Sequence, residues 1–306
     1  MLRRASLAAL LLLPRLAAAQ SFEDSVEAAL PAFDASVAKA VTQAPEHVDL
    51  SYQFEPGRRS QGKLNSCHAF TAVALIEAAY FRKFGRTIRL SEADLFVRRN
   101  ALPVWPFLRF FQGGLARPDV RAALDEGVLP GDYYPAFEER YHAFAKRFFK
   151  FLDSRGSVAA ELLPESLTPE ADAARAQVRD EVADLTVGGE SFFSFIGANA
   201  RSLVKKDRVN CSVARRERMI RRQLDAGRPV GVGLHTGWSK DPAWRRDATG
   251  EGGSHYFVVT GYDRVGGALV FRTRNSWASG VEPDLSGQDL CEVYGLTWVR
   301  APNDPD

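Results

Sequence analysis

Residues 61–70 read Gln-Gly-Lys-Leu-Asn-Ser-Cys-His-Ala-Phe, and this stretch decides how the rest of the chain is interpreted. After Ser66 the apolar positions follow a helical period as far as Gly85, which predicts a long helix that begins beside Cys67. Free backbone N–H groups and the dipole at a helix N-terminus stabilise a thiolate and lower its pKa. Cys67 is therefore a candidate nucleophile.

A cysteine nucleophile of this kind needs a histidine base that a third group holds in one orientation. His255 opens a predicted strand, and a second strand over residues 268–274 follows it after a turn. A hairpin symmetric about Val265 would place His255 directly opposite Asn275, with Cβ atoms roughly 5 Å apart. The amide oxygen of Asn275 could then accept the imidazole N–H and fix the ring.

The order of the predicted elements indicates the fold class. Helical patterns come first and short strands come later, which predicts an α+β chain. Residues 46–60 are interpreted as strand and loop, and residues 185–200 as a loop rich in Gly and Phe. The predicted helices cover residues 66–85, 118–126 and 215–226 together with a charged helical stretch at 138–185, and the predicted strands cover 229–234, 255–262, 268–274 and 291–299.

The first 19 residues have the three-part pattern of a secretory signal peptide, with arginines, an apolar run and three alanines before Gln20. The apolar run is too short to span a bilayer. We therefore expect an exported protein, secreted or periplasmic, with no stable membrane insertion. The formal net charge of +2 includes three arginines of this segment, so the chain from Gln20 onward carries −1, which does not support binding to nucleic acid.

The composition is that of an ordinary globular protein. The chain has 306 residues, of which 45% are hydrophobic and 25% charged, and this excludes collagen, low complexity and a dense disulfide scaffold. It has three cysteines, an odd number, in a chain that export would expose to oxidation. Cys211 and Cys291 are a plausible disulfide pair. They show neither CxxC spacing nor clustered histidines, so no metal site is expected.

The chain resembles the papain-like cysteine peptidases, as a secreted member of bacterial type. The matching segments follow the order of the family through most of the chain: Gln61-Gly62, Ser66-Cys67, Ala69-Phe70, Leu90-Ser91-Glu92 with Leu95, Gly113-Gly114, Gly227-Arg-Pro-Val230 with Val232, His255 with Gly261-Tyr262, and Asn275-Ser276-Trp277. The resemblance implies a two-lobed domain over residues 46–306, after a short N-terminal segment at 20–45. A helical lobe at about 61–135 would carry the cysteine, and an antiparallel β lobe at about 209–306 the histidine and asparagine.

The resemblance also implies a role for each matching polar residue. Cys67 would attack the scissile carbonyl, and His255 would form an ion pair with it and then protonate the leaving amine. Asn275 would orient His255. Gln61 would donate its side-chain amide to the oxyanion, beside the backbone N–H of Cys67, and donors of this kind contribute a few kcal/mol. None of these roles requires a cofactor.

Other matching positions would bind the substrate or support the site. Gly113 and Gly114 would lie along the extended substrate backbone, where glycine permits close approach. Trp277 would shield the hydrogen bond between histidine and asparagine. The chain departs from the family at Leu64 and Phe111, which stand where the family has a disulfide pair, and a packing contact is the simplest replacement.

Two further features have no counterpart in the family pattern. His68 stands where tryptophan is usual, and packing or a polar contact is a better interpretation than a second base. The interval from Cys67 to His255 is 188 residues, against roughly 130 to 150 in the papain type. We assign the excess to a helical insertion at 138–185, either a surface elaboration or a cap that binds an inhibitor or protein partner.

The expected function is hydrolysis of peptide bonds in a peptide or protein substrate, through an acyl-enzyme on Cys67. One alternative is a noncatalytic binding protein on the same fold. Another is an acyl transferase, in which an amine instead of water resolves the same thioester.

Overall fold

The computed structural model describes residues 46–57, 59–62, 66–101, 115–131, 139, 168–192, 211–235, 254–276 and 282–305. Residues His47–Asp306 form one unit in which α-helices pack against an antiparallel sheet, so the predicted α+β class is confirmed. The helices are α1 (Cys67–Phe84), α2 (Glu92–Ala101), α3 (Ala116–Glu126), α4 (Pro169–Val182) and α5 (Val213–Asp225). The strands are β1 (His47–Asp49), β2 (Thr186–Ser191), β3 (Val230–Leu234), β4 (His255–Val265), β5 (Ala268–Arg274), β6 (Leu285–Ser286) and β7 (Val293–Arg300), and two 3₁₀ helices cover Ser51–Gln53 and Gly287–Glu292.

Helix α1 is the central helix, and its bounds match the prediction. Its apolar residues, among them Val73, Leu75 and Ile76, are almost completely buried in the larger of two main apolar clusters. The helix ends at Gly85, whose left-handed backbone (φ 68°) lets its N–H donate to the carbonyl of Phe81 at 2.7 Å. Cys67 therefore lies at the first position of a helix that the core holds along most of its length.

The seven strands form one antiparallel sheet in the order β2-β7-β3-β4-β5-β6, and β1 pairs with β4 off this path. Successive side chains of β4 point to opposite faces, so the sheet separates the two main clusters. Val258 belongs to the cluster that contains α1, whereas Phe257 and Val259 belong to the cluster that contains residues of α5. The strand that begins at His255 is thus fixed from both sides.

The β4–β5 hairpin exists, but its predicted register is wrong. Val265 pairs with Ala268, and the two residues between them, Gly266 (φ 57°) and Gly267 (φ 83°), form the turn. Positive φ at both central positions is the geometry of the tight two-residue hairpin turn that Gly-Gly favours. The hairpin is therefore centred on these glycines and not on Val265.

Strand β2 and helix α2 were not predicted, nor were the short strand β6 and the two 3₁₀ helices. Strand β2 occupies Thr186–Ser191, which the sequence indicated as loop because its central Gly-Gly gives a weak strand signal. Gly188 is needed there, since a Cβ would lie 2.2 Å from Nε1 of Trp298 on the neighbouring strand β7. Helix α2 begins after Ser91, whose hydroxyl accepts the N–H of Asp94 at 3.0 Å.

Helix α4, which lies within the stretch assigned to an insertion, is part of the main body. Val178 and Val182 lie in the same apolar cluster as α1, so a surface elaboration is the wrong description for residues 169–182. Arg175 is buried and donates to both carboxylate oxygens of Asp94 on α2, at 2.6 and 3.1 Å. The remainder of 138–185 lies largely outside the described residues. No helix within the described ranges has the length and apolar character needed to cross a membrane.

Candidate active site

The thiol of Cys67 lies against the beginning of strand β4. It is 6% exposed and packs with Ala116, Tyr256 and Tyr294. The backbone N–H of Tyr256 donates to the sulfur. Tyr256 directly follows His255. The N-terminus of α1, with the candidate nucleophile, therefore lies next to the first residues of β4, where the candidate base is located.

The charge state of Cys67 differs from the expectation. Burial raises the pKa of the thiol to about 11, although N–H groups of Tyr256, His68 and Cys67 itself act in the opposite direction. The last two belong to the first turn of α1, where backbone donors have no partner within the helix. A helix N-terminus was expected to lower this pKa, but here the cost of desolvating a thiolate is the larger effect.

His255 and Asn275 form a direct hydrogen bond. Nε2 of His255 and Oδ1 of Asn275 are 2.6 Å apart, and both residues are buried. Since an amide oxygen only accepts, Nε2 carries the hydrogen, and Nδ1 is the basic nitrogen of the neutral ring. The ring of Phe257 stacks on the imidazole with centroids 6.1 Å apart. Burial lowers the pKa of His255 to about 4, so the ring is neutral at pH 7.

A β-bulge explains how this contact forms in a register that was not predicted. Gly261 pairs with Arg272, whereas Val259 pairs with Thr273, so Thr260 is an extra residue in β4. The carbonyl of Thr260 accepts the N–H of Leu50 at 2.8 Å, which ties the bulge to the chain just after β1.

The bulge determines which face of the sheet Asn275 occupies. Beyond it, Val258 pairs with Arg274, and the same register continued by one residue sets Asn275 opposite Phe257. Phe257 and His255 share a face, so Asn275 becomes a diagonal neighbour of His255, within reach for a side-chain contact. Without the extra residue Asn275 would oppose Val258 and would point to the other face.

Gln61 is held by the residue that follows Asn275. The hydroxyl of Ser276 donates to Oε1 of Gln61 at 2.7 Å, and the backbone N–H of Gln61 donates to the carbonyl of Ser276 at 2.9 Å. Gln61 is 6% exposed. Because its oxygen accepts from Ser276, the orientation of its amide is fixed and its two N–H groups point away from that contact.

A buried ion-pair cluster around Arg59 also anchors the segment that carries Gln61. The guanidinium of Arg59 contacts the carboxylates of Glu77 on α1 and of Glu92 on α2, the latter at 2.8 Å, and it donates to the carbonyl of Leu90 at 3.2 Å. Glu77 and Glu92 are almost completely buried. The backbone that presents Gln61 is therefore fixed to helix α1 and to the start of helix α2.

The three cysteines divide into a pair and a single thiol. Cys211 and Cys291 form a disulfide, and Cys67 is the free cysteine. The bridge joins the residue just before α5 to the 3₁₀ helix before β7. Within the described residues no group of three or more His, Cys, Asp or Glu side chains is arranged to hold a metal ion. The other residues of the sequence interpretation, Gly113, Gly114, Trp277, Leu64 and Phe111, lie outside the described residues.

Some residues around the site were not recognised from the sequence. Ser276 stands in the quoted Asn-Ser-Trp motif but was given no role. Tyr256 could have been found as the neighbour of His255, whereas Tyr294 had no local signal because β7 reaches the site only through sheet order. His68 is buried and makes the expected polar contact, between its Nδ1 and the carboxylate of Asp119.

Comparisons with known proteins gave remote similarities. No family model matches the chain, and no curated protein matches it. Among solved structures, the chain is similar to the proform of the ragweed pollen allergen Amb a 11, a cysteine protease, with 16% identity, a TM-score of 0.47 and coverage of 86% of this chain and 68% of that one. It is also similar to the Carica candamarcensis cysteine protease CMS1MS2 in complex with E-64, with 15% identity, a TM-score of 0.45 and coverage of 84% and 99%. Both similarities are weak, so function is argued from the geometry of the site.

Proposed function

We propose that this chain is an exported papain-like cysteine peptidase that uses Cys67 as nucleophile, His255 as acid and base, and Asn275 as the residue that orients His255. The observation that carries the proposal is the buried hydrogen bond between Nε2 of His255 and Oδ1 of Asn275. It fixes the tautomer that leaves Nδ1 as the proton acceptor of the neutral ring. The backbone N–H of the next residue, Tyr256, contacts the sulfur of Cys67.

In this proposal the first half of the reaction proceeds as follows. Nδ1 of His255 takes the thiol proton, and the sulfur of Cys67 attacks the carbonyl carbon of the substrate. The carbonyl electron pair moves onto oxygen, where the backbone N–H of Cys67 and the side-chain amide of Gln61 stabilise the negative charge. The intermediate collapses, the C–N bond breaks, and His255 returns its proton to the departing amine.

The second half hydrolyses the thioester that remains on Cys67. His255 removes a proton from water, the resulting hydroxide attacks the acyl carbon, and the C–S bond breaks. The sulfur leaves and is protonated again by His255, which restores the starting state. In this proposal Gly113 and Gly114 accompany the substrate backbone and Trp277 shields the His255–Asn275 bond.

Burial keeps both reacting groups neutral before substrate arrives. The pKa of Cys67 is raised to about 11 and that of His255 is lowered to about 4, and desolvation is the largest cause in both cases.

The test is reaction of the full chain with an epoxide thiol probe and a peptide-library digest, for the wild type and for Cys67→Ala. We expect labelling at Cys67, no labelling of the paired Cys211 and Cys291, cleaved peptides with the wild type, and neither labelling nor cleavage with the variant. A folded wild type that is neither labelled nor active overturns the proposal. Products joined to an added amine, in place of free acids, would identify acyl transfer.

A further inference from the structure

Two tyrosine rings, from strands β4 and β7, pack against the candidate nucleophile Cys67. Tyr256 and Tyr294 are 5% and 4% exposed, and both pack against Cys67. Their rings meet edge to face with centroids 5.4 Å apart, and their hydroxyls share a hydrogen bond. Burial raises the pKa of both phenols, and a negative charge on Cys67 would raise both further, which indicates how close they lie to the sulfur.

The rings cannot retreat from the sulfur into the sheet. They press onto Gly233 of β3, where a Cβ would lie 2.6 Å from a ring carbon of Tyr294 and 2.9 Å from one of Tyr256. The ring of Tyr294 also contacts that of His235, with centroids 4.6 Å apart and the planes tilted by 40°. Glycine at position 233 therefore makes room for the rings, since any larger residue there would overlap them.

Hydrogen bonds also hold the rings in place. The backbone N–H of Ala116, the first residue of α3, donates to the hydroxyl of Tyr256, and Tyr294 is hydrogen-bonded to the side chain of Ser254. The pair is thus attached to the helical part, to the sheet and to the residue before His255. Moving either ring would break at least one of these buried contacts and leave a buried polar group unpaired, which is unfavourable.

We infer that Tyr256 and Tyr294 restrict the enzyme to substrates with glycine or alanine on the acyl side of the scissile bond, because their rings fill the space that a larger side chain would need. In the thioester the acyl part of the substrate is bonded to the sulfur of Cys67, so its first residues must lie against the groups that contact this sulfur. This inference rests on the proposed function and names its substrate class.

The test is a set of fluorogenic peptides that carry glycine, alanine, leucine or phenylalanine at each of the two positions before the scissile bond. For the wild type we expect kcat/KM to be at least about tenfold higher with glycine or alanine than with leucine or phenylalanine at one of these positions. For Tyr294→Ala, which opens space beside the sulfur, we expect the preference to fall below about threefold.

Two matched variants separate the shape of the ring from other effects. Tyr294→Phe keeps the ring and loses the hydroxyl, and we expect it to retain the preference for small residues. Tyr52→Ala removes a tyrosine that is 62% exposed on the surface, and it should leave the preference unchanged. If Tyr294→Ala does not fold, Tyr294→Leu provides a smaller side chain that still fills part of the core.

The outcomes distinguish this inference from the proposed function. Equal cleavage of small and large residues by the wild type overturns the inference while leaving the peptidase assignment intact. A strong preference that survives Tyr294→Ala or Tyr294→Leu also overturns it. Failure of Cys67 to react with the epoxide probe overturns the peptidase assignment itself.

Discussion

The hydroxyl of Ser276 donates to Oε1 of Gln61 at 2.7 Å, while Asn275, one residue earlier, is bonded to His255 at 2.6 Å. Two neighbouring residues after β5 therefore orient two different parts of the candidate machinery. One fixes the base, and the other fixes the amide proposed to stabilise the oxyanion. A change in the backbone at 275–276 would disturb both at once.

Replacing Ser276 by alanine is expected to act through Gln61. The amide of Gln61 would lose the contact that fixes its orientation, so kcat should fall with little change in KM. Gln61→Ala itself should lower kcat by about 10²–10³-fold, as loss of an oxyanion donor does. Steady-state kinetics of both single variants and the double variant provide the measurement.

The double variant decides whether the two residues act together. If Ser276 works only by positioning Gln61, adding Ser276→Ala to Gln61→Ala should cost nothing further. Fully additive losses would contradict this dependence. Ser286→Ala, in the short strand β6, is the matched control and should leave kcat unchanged.

Asn275→Ala should leave His255 without the acceptor that fixes its tautomer and ring position. We expect kcat/KM to fall by at least about tenfold, within the range that a general base contributes. Labelling of Cys67 by an epoxide should persist at a lower rate, because the nucleophile itself is intact. Asn303→Ala, at an exposed position near the C-terminus, serves as control. Unchanged kcat/KM in Asn275→Ala would show that His255 is held by other contacts.

The buried imidazole should make stability depend on pH in a defined window. The pKa of His255 is about 4 in the folded chain, against an ordinary value of 6.5, so between these values the unfolded chain binds more protons. The free energy of unfolding should therefore rise with pH from about 4 to 6.5, by at most about 3 kcal/mol from this residue.

Denaturant unfolding at several pH values, for the wild type and for His255→Gln, measures this contribution. The variant should lose that part of the slope, and an identical slope in both proteins would contradict the lowered pKa. In the active protein, kcat/KM should decline as pH falls through about 4, where His255 gains a proton and can no longer accept one from Cys67.

The ion pair between Arg175 and Asp94 should be essential for docking of α4. Asp94→Ala leaves a buried guanidinium without its bidentate partner, and loss of one member of a buried pair costs about 3–5 kcal/mol. Asp125→Ala, at an exposed position of α3, should change stability little. A loss below about 1 kcal/mol for Asp94→Ala, by denaturant unfolding, would show that apolar contacts of α4 are sufficient.

Much of the fold could be predicted because its central elements have strong local patterns. The apolar period from Cys67 to the glycine at position 85 defines α1, and two runs rich in β-branched and aromatic residues on either side of a Gly-Gly turn define β4 and β5. Position 188 shows the limit of such patterns, since glycine weakens the strand signal and is required there only because of the facing Trp298. Local sequence predicts the bounds of these elements, but it does not predict which strands are neighbours in the sheet.

The members of the candidate site could be proposed from the sequence, but their geometry could not. The identities of Cys67, His255 and Asn275 follow from residue type and order along the chain. The register between β4 and β5 depends on the bulge at Thr260. The apolar pattern of the sequence does not reveal this bulge. The direction of the Cys67 pKa was wrong because burial by Tyr256 and Tyr294 outweighs the helix N-terminus, and β7 brings Tyr294 there from a distant part of the chain.

Because of the bulge at Thr260, the face on which Asn275 lies depends on whether the number of residues added to or removed from β4 and β5 is odd or even. Each residue inserted into or deleted from the paired part of β4 or β5 reverses the face of everything beyond it, whereas residues added at the Gly266-Gly267 turn only lengthen the loop. Homologues of this chain should therefore tolerate length variation at the turn. Within the strands they should accept only paired insertions, or one insertion together with loss of the bulge, because those alone return Asn275 to the face of His255.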